Sequence, residues 1–213
     1  MSKMGKGNLK TILIGMLIMA VVCFFILLLS LGLLIFGFGS AKIEVHDNIA
    51  EYQMYRTGEN AQKEYRTKWG MDESIWPEAI TKSMEVEDYK MVYYNPWDAQ
   101  FLGYMTVKYN DKAYEAELER LTDYVSTEYI GNYGVTGFTR YELIAMYADD
   151  YQGFVYALSS GKNEITYVEI IFCNYFMDLD YTEYIPVDYL PDGFDATKDN
   201  PYIDKYLRKL EKE

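Results

Sequence analysis

The chain has 213 residues, half of them hydrophobic and 17% aromatic, with 33 acidic side chains against 20 basic ones. So much apolar surface excludes an extended disordered chain. Lys3, Lys6 and Lys10 are the only charged side chains among the first 41 residues, so the remainder carries 17 basic and 33 acidic groups, a net of −16. A surface that negative repels phosphate backbones, and no nucleic-acid partner is expected.

Residues 1–10 read as a basic tail. Residues 11–39 read as a transmembrane helix: no charged side chain occurs from Thr11 to Ala41. A helix from Ile12 to Phe38 would be roughly 40 Å long, against a hydrocarbon thickness of ~30 Å. A lone segment in lipid must be helical, because every unsatisfied backbone group there costs several kcal/mol. A cleavable signal peptide has a similar basic start, but its apolar region is shorter, about 7 to 15 residues. A lipoprotein needs a small residue before its modified cysteine, whereas Val22 precedes Cys23. The bilayer is therefore the expected partner of residues 11–39. The three lysines place the N-terminus in the cytoplasm and the following domain outside. With Cys23 in the apolar run and Cys173 in an expected strand, there is no disulfide framework, nor any Asn-X-Ser/Thr sequon after the anchor. A bacterial cell-membrane protein is expected.

Residues 40–87 read as a juxtamembrane, partly helical segment. Asp47 is expected to cap a short helix through Tyr55, Glu59 to Trp69 to be helical, and Asp72 to cap a turn. Residues 88–213 read as the core of an α+β domain with a largely antiparallel β-β-α-β-β-β sheet and peripheral helices. Its strands are expected at Tyr89–Tyr94, Phe101–Tyr109, Tyr141–Ala148, Gly153–Leu158 and Glu164–Cys173, separated by turn residues. Asn110 should cap a helix with the stripe Tyr114, Leu118, Leu121 and Val125, and Asn200-Pro201 should open a final one. The strand from Glu164 is apolar on both faces and should be central.

Chemistry-bearing residues are sparse. His46 is the only histidine, which argues against a histidine-rich zinc site, and Cys173 among strand residues reads as a small hydrophobe. Acidic pairs such as Asp149 with Asp150, Asp178 with Asp180, and Asp192 with Asp195 read as solvated turns. No catalytic, cofactor or metal residue is expected. The 23 tyrosines all follow the apolar run, and Tyr93, Tyr94, Trp97 and Tyr104 around the first hairpin are the candidate aromatic contact surface. The expected function is a single-pass extracytoplasmic module that binds a protein or an envelope glycan. An envelope hydrolase using two carboxylates and a structural subunit of a membrane complex are the alternatives.

Overall fold

The computed structural model describes residues 6–38 and 41–210. It separates into two units, residues 1–41 and 42–213.

The first unit is one helix, α1 (Lys6–Phe38). Within it Thr11–Gly32 is long and apolar enough to cross a membrane, although a signal sequence would meet the same measure. Its apolar side chains from Ile12 to Leu31 are exposed all round, so no single stripe marks it as the amphipathic helix of a soluble core. Ser30 donates its hydroxyl to Leu27 O at 2.8 Å, which satisfies a polar group without leaving the helix.

The second unit is α+β. Its strands are β1 (Glu44–His46), β2 (Met84–Tyr94), β3 (Gln100–Tyr109), β4 (Glu142–Asp149), β5 (Gly153–Ser159) and β6 (Glu164–Ile171). They form one sheet in the order β1-β2-β3-β6-β5-β4, antiparallel at every pairing. The helices are α2 (Asp111–Thr122), the single turn α3 (Tyr181–Tyr184) and α4 (Pro201–Leu210). Asn110 caps α2 by accepting from Ala113 N at 3.0 Å.

Strand alternation gives the sheet two buried faces. Met91, Phe101, Met105, Val107, Ile165, Tyr167 and Ile171 lie on one, under α2 and the irregular segment 49–80. Val92, Leu102, Tyr156, Val168, Ile170 and Phe172 lie on the other, under the loop 129–141 and the C-terminal coil. This double burial is why β6 is apolar on both faces and central.

Several sequence expectations are corrected. A three-residue strand, β1, precedes the others and pairs with the outer edge of β2, so the order is β-β-β-α-β-β-β; three residues are too few to show an alternating pattern. Two 3-10 turns, Lys63–Tyr65 and Lys68–Gly70, stand where a helix from Glu59 to Trp69 was expected. Asn48, not Asp47, caps the turn at Ile49–Tyr55. β2 starts at Met84, ahead of Tyr89, and passes through a bulge between Val86 and Asp88. Val125 lies beyond the end of α2 and is exposed.

Candidate functional site

The segment 49–80 has little regular backbone pairing, so side chains fix it to the sheet. Gly58 N donates to Arg66 O and Gln62 N to Met54 O, which closes a loop. Next, Lys68 and Trp69 take left-handed backbone, with φ of 35° and 60°, a conformation that is disfavoured for side chains with a Cβ. Lys68 is buried, while Trp69 is exposed and donates its indole N–H to Ala99 O at 2.7 Å. Asp72 then accepts from Ser74 N at 2.8 Å, making the expected turn, and Glu73 enters the interior.

The result is a buried quartet of Arg56, Lys68, Glu73 and Glu169. Lys68 Nζ donates to Glu73 Oε1 at 2.5 Å and to Glu169 Oε1 at 2.7 Å. Arg56 Nη1 stands 3.2 Å from Glu73 Oε2 and 3.9 Å from Glu169 Oε2, while its Nη2 donates to Glu73 O at 2.7 Å. The Arg56 guanidinium also lies 5.0 Å above the Trp76 ring and 5.6 Å above Tyr52. Gly103 makes room for this cluster: it pairs with both Met91 and Glu169. A Cβ there would collide with Met91 Sδ and come within 3.1 Å of Glu169 Cγ.

Two carboxylates share the two cations unequally. Burial pushes the Glu73 carboxyl up, but Lys68 and Arg56 outweigh it and hold Glu73 down, to about 2; Thr57 N adds a bond at 2.8 Å. Burial raises Glu169 above the ordinary carboxyl range, reinforced by the neighbouring Glu73 charge against the pull of Lys68. The geometry agrees, since Glu169 Oε2 has no hydrogen-bond partner. Glu169 is the member that takes up a proton first.

Beside the quartet opens a cleft of about 750 Å³. Arg56, Met71, Glu73 and Trp76 are its buried lining, and Asp72, Glu78 and Arg120 are among its more exposed lining. Arg120 fixes the wall by donating to Ser74 O and Ile75 O, both at 2.7 Å, while pairing with Glu117. That ties α2 to the segment 72–76.

The four aromatic residues singled out in the sequence do not share a surface. Tyr93 is half-buried against Tyr65 and Phe101, with ring centres 5.6 and 5.4 Å away. Tyr94 packs on the other face of the sheet, as period-two alternation requires. Tyr104 is buried and donates to Asp88 at 2.8 Å. Trp97 is exposed in the β2–β3 turn.

No protein-family model, curated protein or solved structure matches this chain.

The acidic pairs found in the sequence serve turns: Asp149 accepts from Tyr151 N and Gln152 N, Asp180 from Thr182 N, and Asp195 from Thr197 N. Among the described residues no group of three or more His, Cys, Asp or Glu could hold a metal ion. His46 stacks on Tyr55 at 4.1 Å, and burial pushes the Cys173 thiol up to about 12, which keeps it un-ionised near neutrality. Glu169 is not among the site residues expected from the sequence. Its signal was an acid at an inward position of a strand otherwise apolar on both faces, which demands a buried cation.

Proposed function

We propose that this protein is a single-pass membrane-anchored binding module whose domain lies outside the cytoplasm and takes its ligand in the cleft between the segment 53–78 and α2. The cleft itself carries the reading: about 750 Å³ of polar-lined space beside a rigidly bonded floor, which falls in the ordinary size range of ligand sites. Lys3, Lys6 and Lys10 support the orientation, as positive flanks stay cytoplasmic. The aromatic rings contribute chiefly as packing, and Trp97 is the exposed aromatic of the β2–β3 hairpin.

The test is binding by the full-length protein in nanodiscs, measured calorimetrically with two probes, chitotriose and acetyl-Gly-Lys-Gly-amide. Binding of either that disappears in Ser74→Trp, which fills the cleft from an exposed wall position, supports the reading. No binding of either probe overturns it. Susceptibility of the domain to an impermeant protease in intact cells is expected, and full protection would reverse the orientation.

A hydrolase is the second reading, favoured by one observation: Glu73 and Glu169 converge on Lys68 with their acidities pushed in opposite directions, the pattern of an acid–base pair. Against it, Glu169 is wholly buried and both carboxylates are engaged by cations. Release of new reducing ends from envelope glycan, abolished by Glu73→Gln, would establish this reading in place of the first.

A further inference from the structure

Lys68 stands between two carboxylates from different parts of the fold, Glu73 of the segment 49–80 and Glu169 of β6. Its Nζ donates to both, and all three side chains are at most 2% exposed. The Tyr65 and Phe101 rings lie 5.5 and 5.8 Å from the same nitrogen. Since Nζ is 2.7 Å from Glu169 Oε1 and a C–O bond is about 1.2 Å long, the amine is within about 4 Å of Glu169 Cδ, near the ~3–3.5 Å of a reactive approach. Left-handed backbone at Lys68 and Trp69 sets the amine there, a conformation that persists only where the surroundings impose it. Trp69 imposes part of it through its bond to Ala99 O.

The two carboxyls differ in how they are held. Both oxygens of Glu73 are engaged, Oε1 by Lys68 and Oε2 by Thr57 N, with Arg56 Nη1 3.2 Å away. Glu169 spends Oε1 on Lys68 and leaves Oε2 without a hydrogen-bond partner. Burial favours the protonated form of Glu169, whereas at Glu73 the pull of Lys68 and Arg56 outweighs burial and keeps the group ionised. An amine, a carboxylic acid and a carboxylate thus meet away from water: a nucleophile, an electrophile and a base. Forming an amide would also remove the lysine charge from an interior where holding it is costly.

We infer that Lys68 and Glu169 condense into an amide, an isopeptide cross-link that ties the segment 49–80 to β6, with Glu73 as the base. Lys68 Nζ gives one proton to Glu73 and attacks Cδ of the Glu169 carboxylic acid, forming the C–N bond. A second Nζ proton passes to the unpartnered Glu169 hydroxyl, which departs as water as its C–O bond breaks. One N–H remains on the amide, and Glu73 later gives its proton up to solvent. No oxidant, reductant or outside reactant enters. The condensed chain has lost the Lys68 and Glu169 titrations, so any pH-dependent stability from Glu169 belongs to the uncondensed chain. The cross-link does not depend on what the cleft binds.

The test is the intact mass of the full-length chain purified in detergent, fresh and after prolonged incubation at neutral pH, beside Lys68→Arg, which keeps the charge and lacks the amine. After allowance for the substitution, the wild-type chain is expected to be lighter than Lys68→Arg by one water. A digest of the denatured wild-type protein should yield a branched peptide joining Lys68 to Glu169. Glu73→Gln should slow the appearance of that peptide at least about a hundredfold, the ordinary contribution of a positioned base. Should Glu73→Gln fail to fold, the wild-type mass and the branched peptide decide alone. Full mass after incubation, with no branched peptide, overturns the inference and leaves the quartet an ion cluster. A water loss that persists in Lys68→Arg lies elsewhere in the chain and overturns it equally. A branched peptide that forms at the wild-type rate in Glu73→Gln overturns the role of Glu73.

Discussion

The two faces of the sheet are covered by chain of similar irregularity, yet they are fastened in different ways. On the face under the segment 49–80 and α2, the fastening is ionic: one lysine and one arginine hold two carboxylates in the interior. On the other face the cover is held by aromatic packing and neutral bonds. Tyr133 lies edge-on to Phe172 at 5.1 Å and to Phe154 at 6.0 Å, and donates to Asp150 O at 2.7 Å. Tyr156 donates to Tyr189 O at 2.8 Å, and among the described residues no buried ion pair lies on that side. Hydrophobic burial is non-directional, so both covers need directional contacts to set their position. The charged face obtains them at a large desolvation cost, and its removal should be correspondingly abrupt. It is also the face that carries the cleft.

The largest effect that would break this contrast is Lys68→Met. It leaves Arg56 as the one cation beside two buried carboxyls, and a loss of about 3–5 kcal/mol is expected. Chemical denaturation of the full-length protein in detergent, followed by near-ultraviolet circular dichroism, reads it; a loss below about 1 kcal/mol would show that the quartet does not hold this face. Gly103→Ala is next, at about 1–3 kcal/mol, because the added methyl has to displace Met91 and crowd Glu169.

Acidity separates the faces further. A carboxyl raised on folding, as Glu169 is, binds a proton in the folded state that the unfolded chain has released, so stability falls as pH rises from the ordinary glutamate value through its folded value. Glu73 has the opposite sign: its stabilisation is present above the ordinary value and is lost as pH falls toward about 2. Stability is therefore expected to decline above about pH 5, by at most about 1.4 kcal/mol per pH unit for one proton. Glu169→Gln should flatten that decline, and an unchanged slope in the variant would assign it elsewhere. The smallest effect belongs to the neutral face. Tyr133→Phe removes one hydroxyl bond and should cost about 1 kcal/mol without altering the pH slope.

Much of the frame is legible in the sequence. The apolar run declared a helix, since its length and lack of charge leave no other satisfied backbone in lipid. Five of the six strands, the Asn110 cap and the central place of β6 followed from period-two patterning and turn residues. Those features are local, or repeat often enough to be read along the chain. The candidate site was not: Lys68 and Glu169 are 101 positions apart, and their meeting depends on left-handed backbone at Lys68 and Trp69 that no residue there announces. Likewise the three residues of β1 become a strand only because the edge of β2 is there to pair with. The sequence by itself thus determined the apolar helix and the alternating sheet, whose periodicities are set by backbone geometry. Tertiary structure alone decided which charges meet in the interior and where the cleft opens. Only folding brings distant groups into a low-dielectric space where they must pair.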